Sequence, residues 1–547
     1  MESVRTWPWG GLETFKRVSA AVALVGAVIV AVVLLAAGSS GVRRAQPTRQ
    51  PPTRVSVWVN ARDPGAPVPP RFLGLSFEVS SAKQLSYYAD GGDLATLLRS
   101  LGPGVLRLGG ASADTRVAWT DAHTPRPAWA SSVLDPEDLH RLARLAAMTG
   151  WRVLLTIGLA HYEPRAAARE VAAAKAALGP WLMGIEVGNE PDSYALHSLR
   201  QAPWGSSNYN AQVSGYRSAI AAVTPNIAVA GPGVSGSGAF RMWAPAEALA
   251  QKPALLTGHH YPLGCRPAGE ATIPRLLSQA TRGLESESLR NYASISRASG
   301  IPFRIDETNT VSCGGKAGVS NTFAAALWAV NYIAQAMAVG ATGINLEGNP
   351  ATCAGYSPVC APSPASLRSG ALRPQPEWYA LLLTRGLTGD RPLHTTIVWR
   401  KRANVAITTL LAPNGGLRFV IAEDDPPGSK DAALSLHVGG GYGAASVLAL
   451  TAPSPHATAG VRLGGEAVAA DGSWRGPRRL EQLSTRHGTI SLTVPPSSAA
   501  LVTVAPARVL KRLRPPAPPT HSCARKACAN APRARYAAAR RRARRQA

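Results

Sequence analysis

The sequence lacks the features that mark zinc and nucleotide proteins. No pair among its six cysteines has the spacing of a zinc site. The first strand-like run, around Gly74-Leu75-Ser76, leads into no glycine-rich phosphate loop, which argues against an open dinucleotide-binding sheet. Acid is scarce: 32 Asp and Glu stand against 58 Lys and Arg, a formal net charge of +26. That excess suggests nucleic acid, but its distribution argues otherwise. Residues 508–547 hold 13 Lys and Arg and no Asp or Glu, half of the excess in 40 residues. Such a Pro- and Arg-rich stretch cannot bury enough apolar surface to fold, so a solvated basic tail is expected. Contact with anionic lipid or wall polymer is the functional alternative, and nucleic acid ranks behind both.

Long hydrophobic runs are scarce too. The exception is Val18 to Gly38, between Lys16-Arg17 and Arg43-Arg44. About 20 residues suffice to cross a bilayer. The expectation is a short cytoplasmic segment (1–17), a signal anchor (18–38) and a linker (39–54) carrying Pro47, Pro51 and Pro52. The chain would then be a single-pass membrane protein with its large part outside. A cleaved signal, with Ala36-Ala37-Gly38 near the cut, would make it secreted instead. Export favours disulfides over metal. Cys353 and Cys360 can close one loop, and Cys265 and Cys313 follow two strands that neighbour each other in the barrel argued next. Cys523 and Cys528 lie in the tail.

At 547 residues the chain exceeds one compact core. From 71 to about 370, short apolar runs alternate with stretches of helical spacing. The runs are Phe72–Glu78, Val105–Gly109, Val153–Gly158, Gly184–Gly188, Ile227–Gly231, Leu255–His260, Pro302–Glu307 and Thr342–Glu347. Eight strand-helix units imply a closed (β/α)8 barrel, a TIM barrel, over residues 71–370. Past Pro374 helical spacing is absent, and short runs alternate with Gly, Pro and Asp turns. This predicts an antiparallel β-sandwich over 371–507, with 55–70 supplying an extra strand.

Catalytic side chains of such a barrel gather where its strands end. Glu190, in Gly188-Asn189-Glu190-Pro191-Asp192, ends the fourth run, and Glu307 ends the seventh. Glu78, Asp114, Tyr261 and Glu347 fall at the ends of the first, second, sixth and eighth. Two carboxyls on strand ends of one barrel can flank a glycosidic bond, one as acid/base and one as nucleophile. The proline should restrict Glu190 to extended backbone. Asn189 is placed to bond a sugar hydroxyl beside the reacting carbon, with Glu78 and Asp114 on further hydroxyls. Glu190 must hold a proton, raised by anionic Glu307, while Glu307 needs donors, of which the Tyr261 hydroxyl is the best placed. Strand alternation sends one of His259 and His260 into the barrel and the other towards the helices.

Asn-Glu-Pro on strand four and Glu on strand seven resemble the clan of retaining barrel glycosidases. Four more stretches narrow the resemblance: Leu75-Ser76-Phe77-Glu78, Leu106 to Asp114, Gly258-His259-His260-Tyr261-Pro262, and Glu307-Thr308-Asn309-Thr310 leading to Cys313-Gly314-Gly315. Together they resemble glycoside hydrolase family 79, the β-glucuronidase and heparanase-like enzymes, over residues 55–507. The resemblance implies Glu190 as acid/base, Glu307 as nucleophile and retained configuration; such hydrolysis needs no cofactor, and His259 and His260 have no third ligand in the sequence to make a metal site. The resemblance also implies a uronic carboxylate bound by Gly314, Gly315 and Lys316. One position departs from the pattern: Glu347 stands where a His or aromatic residue is expected. An added carboxylate there would repel a uronic acid, so a neutral or modified sugar is the first rival. A silent carbohydrate-binding wall protein is the second.

Overall fold

The computed structural model describes residues 51–267, 269–399 and 403–507. Eight parallel strands close into a barrel: Leu73–Glu78, Val105–Gly109, Arg152–Ile157, Leu182–Val187, Val229–Val234, Leu255–His260, Phe303–Thr308 and Ile344–Gly348. Closure pairs the eighth strand with the first, Glu347 beside Ser76 and Gly348 beside Phe77. Each strand is almost wholly buried, as expected when helices cover the outside and side chains fill the lumen.

The second layer is a ten-stranded, mostly antiparallel sheet built from the C-terminal region and one early strand. Thr53–Asn60 lies between Arg391–Trp399, antiparallel, and Ala432–His437, parallel. Inward residues from both halves of the sheet share one core: Val55, Val57, Phe419, Ile421, Leu434, Leu436, Ile490 and Val502. A β-sandwich follows the barrel. Helix Phe323–Ala338 joins the two layers and is buried on almost every side, hence its unbroken apolar sequence. Leu410, Val420 and Ala422 of the sandwich join the barrel's core.

One expectation is corrected. Among the described residues no helix is long and apolar enough to cross a membrane, so the single-pass membrane placement is withdrawn. The run 18–38 on which it stood lies outside the described residues, as do the tail 508–547, Cys523 and Cys528.

Candidate active site

The fourth strand ends at Val187, and Gly188 (φ 82°) turns the chain towards Asn189 and Glu190. Glu190 is not extended as expected but left-handed, φ 48° and ψ 52°. Proline excludes the right-handed region for the preceding residue, and here the other permitted well is taken. What holds it is the Glu190 N–H on Gly233 O, 2.8 Å, at the end of the next strand. A left-handed non-glycine residue costs about 1–3 kcal/mol, which the surrounding bonds must offset.

Glu190, His259 and Glu307 converge, with a donor atom of each within 4.8 Å of the others. His259 Nδ1 lies 2.9 Å from Glu190 Oε1 and 3.7 Å from Glu307 Oε2. Beneath them sits Arg107, fully buried. Its Nη1 donates to Glu307 Oε2 at 2.7 Å and to Ser76 Oγ at 3.1 Å. Its Nη2 donates to Asn189 Oδ1 at 2.8 Å and Glu186 Oε2 at 3.0 Å, and its Nε pairs with Asp306 Oδ2 at 3.0 Å. The trio's spacing would suit a cation, but Arg107 already neutralises Glu307 from below.

The second oxygen of Glu307 has its own donors in series. Gly314 N–H donates to Tyr356 Oη at 3.3 Å, the Tyr356 and Tyr261 hydroxyls are 3.3 Å apart, and Tyr261 Oη donates to Glu307 Oε1 at 2.9 Å. Desolvation alone would raise the Glu307 carboxyl, but His259, Arg107 and Tyr261 outweigh it and hold the group below the usual carboxylate range. Desolvation would likewise lower His259; Glu307 and the bond to Glu190 push it up to about 10 instead. Asp306 rises to about 8, through burial first and the adjacent Glu186 second.

Other expected residues are bonded within the protein. Asp114 is buried and both oxygens are taken: Oδ1 by the N–H groups of Leu159 and Ala160 (2.7 and 2.9 Å), Oδ2 by Asn189 N and Tyr194 Oη (2.9 and 2.7 Å). It positions the loops after strands three and four. Glu78 Oε2 accepts from Ser112 N at 2.8 Å, at the lumen's edge. The loop N–H groups read as a carboxylate cradle bond within the protein: Gly314 to Tyr356, Gly315 to Ser312 O (3.4 Å) and Lys316 to Ser320 Oγ (2.9 Å). Lys316 Nζ donates to Ala271 O at 2.8 Å. Cys265 bonds to Cys313 and Cys353 to Cys360, bracing the loops that carry Gly314 and Tyr356. His259 enters the lumen; His260 stacks on Tyr332 among the helices.

Arg107 and Asp306 stand inside the motifs with no role assigned to them, and Glu186 and Tyr356 carry no expectation. The signal for the first three was available: charged residues inside strands otherwise apolar enough for a parallel sheet. Tyr356 stands in a loop with no such signal.

No protein-family model matches the chain, and no curated protein does either. Solved structures do match, and glycoside hydrolases are among them. A 4-O-α-L-rhamnosyl-β-D-glucuronidase from Fusarium oxysporum 12S superposes with TM-score 0.66 at 18% identity, covering 82% of this chain and 100% of that one. The GH51 arabinofuranosidase from Xanthomonas axonopodis pv. citri gives TM-score 0.62 at 14% identity, covering 83% and 100%. The GH51 α-L-arabinofuranosidase from Thermotoga petrophila RKU-1 gives 0.59 at 13%, covering 82% and 99%. At these identities the likeness is one of fold.

Proposed function

We propose that the chain is a retaining glycoside hydrolase acting on β-linked glucuronosides. The observation that carries this is the convergence of Glu190 and Glu307. A carboxyl oxygen of each lies within 4.8 Å of one of the other, close enough to suit the short separation of retaining pairs, roughly 5–5.5 Å between the groups. In the first step a Glu307 oxygen attacks the anomeric carbon as the glycosidic C–O bond breaks. The leaving oxygen takes a proton from Glu190, whose Oε1 meets His259 Nδ1. In the second, Glu190 takes a proton from water, which attacks the same carbon and releases Glu307. Arg107 and Tyr261 keep Glu307 ionised and oriented for attack. Asn189, its oxygen held by Arg107, has its amide nitrogen left to donate to the sugar.

Glucuronic acid as the sugar draws on the family resemblance and on the named activity of the Fusarium neighbour. A neutral or modified sugar is the second reading, favoured by the engagement of the 314–316 donors within the protein. The test is turnover of a panel of aryl β-glycosides, with Glu307→Gln as control and the product anomer followed by NMR. Glucuronide turnover with a β product, lost in the variant, supports the proposal. An α product overturns retention, a neutral sugar alone overturns the substrate, and silence on every glycoside favours a binding protein.

A further inference from the structure

The eighth strand carries a carboxyl that the mechanism leaves unused. Side chains alternate along a strand. Asn345 points into the lumen, where Oδ1 takes Arg304 Nε at 2.6 Å and Nδ2 donates to Leu75 O and Val105 O at 2.8 and 3.0 Å. Glu347, two residues on, shares that face one layer nearer the catalytic end. It is 4% exposed, and its Oε2 has no hydrogen-bond partner in the protein. A buried carboxyl oxygen with no partner is costly unless a ligand or a proton completes it.

Its neighbours decide which form it takes. Facing it are Glu307 of the seventh strand, Glu78 and Ser76 of the first, Arg107 of the second, Tyr261 of the sixth and Tyr356 of the loop that follows. Arg107, the cation among these groups, is engaged by Glu186, Asp306 and Glu307. Burial first, then Glu307 and Glu78, push Glu347 well above the carboxylate range. A carboxylic acid offers an O–H where a carboxylate offers only lone pairs.

We propose that Glu347, as the neutral acid, donates a hydrogen bond to the carboxylate of the uronosyl unit bound against Glu307, and so determines specificity for uronosides. The inference rests on the glycosidase reading above. A sugar carboxylate only accepts, so its binding requires the acid form of Glu347. A sugar hydroxyl both donates and accepts, and is indifferent to the proton. Glu347 thereby turns an expected repulsion into a contact.

The experiment compares KM for an aryl β-glucuronide and an aryl β-glucoside across pH, in the wild type, Glu347→Gln and Glu347→Ala. Glutamine keeps a donor that does not titrate. The expected result is a glucuronide KM that climbs roughly tenfold or more on the alkaline side while the glucoside KM stays flat. Glu347→Gln should bring the two KM profiles into parallel. Glu347→Ala should raise the glucuronide KM roughly 10- to 100-fold at every pH. Parallel profiles in the wild type, or an unchanged alkaline rise in Glu347→Gln, overturn the proposal. Turnover of neutral glycosides without the glucuronide also overturns it and leaves the glycosidase reading standing. No turnover of any glycoside overturns that reading itself. Should Glu347→Gln fail to fold by circular dichroism, the wild-type comparison alone decides.

Discussion

Two arginines are buried in the barrel lumen, one per layer, and their surroundings differ in kind. Arg304, near the N-terminal end of the lumen, is satisfied by dipoles. Its guanidinium donates to Asn345 Oδ1 and to the carbonyls of Arg71, Phe72, Thr342 and Ile344. Burial lowers its pKa, with Asp306 opposing. Arg107, one layer up, touches three carboxyl groups, and Glu186, Asp306 and Glu307 outweigh its desolvation and raise it. Dipoles suffice to seat a buried cation for packing. Three carboxyl groups around one cation do more, because they leave a charge balance that substrate and protons can shift.

The sharpest way to break this comparison is to remove each cation. Arg107→Met leaves three buried carboxyls around a vacated charge. It should cost about 3–5 kcal/mol of stability and roughly 10³-fold or more in kcat/KM on whichever aryl glycoside the wild type hydrolyses. Arg304→Met should cost about 1–3 kcal/mol and leave kcat/KM within roughly tenfold. Thermal melts and initial rates of the two variants decide it, and equal rate losses would break the distinction.

Next in size is the donor series on Glu307. Tyr261→Phe removes one bond to a charged group and should lower kcat roughly 10- to 100-fold. Tyr261 is among the groups that hold Glu307 low, so its loss should shift the acidic limb of kcat/KM to higher pH. Tyr356→Phe, one bond further back, should cost only a few-fold. A larger loss for Tyr356 than for Tyr261 would mean the order of the series is wrong.

The smallest effect concerns the whole molecule. Burial raises the carboxyls of Glu170, Glu247 and Glu377 to about 8, and burial with Glu186 does the same for Asp306. Between the ordinary carboxylate range and 8, these groups bind protons in the folded state that the unfolded chain has lost, so stability falls as pH rises. His259, raised to about 10, has the same sign: its contribution is complete below about 6.5 and lost as pH climbs through 10. The melting temperature should therefore drop by roughly 5 °C or more from pH 5 to pH 9. A melting temperature that rises over that window contradicts the protonation states assigned to these buried groups.

Much of the architecture was legible because it is local. The alternation of apolar runs with helical spacing located eight strands, most within a residue or two of the observed bounds; the fourth, fifth and eighth each begin two residues from their expected starts, and the fifth runs three residues past its expected end. The site was legible in part. Glu190, Glu307 and Tyr261 stand at strand ends, and His259 pairs with Glu190 rather than with the helices. Asp114 reads as a rim acid yet turns inward, because four donors from two loops compete for it. Arg107 reads as one polar residue in a strand, and its bond to Glu307 spans 200 positions.

The order of strands, the carboxylates at their ends and the sandwich that follows are written in short-range periodicity, so the sequence by itself determined them. Which side chains meet was decided by barrel closure, which sets the eighth strand beside the first and lays Glu347 next to Ser76. Protonation was decided there too. Burial in a low-dielectric lumen, with a few fixed charges in reach, overrides the pKa that each residue type carries in the chain.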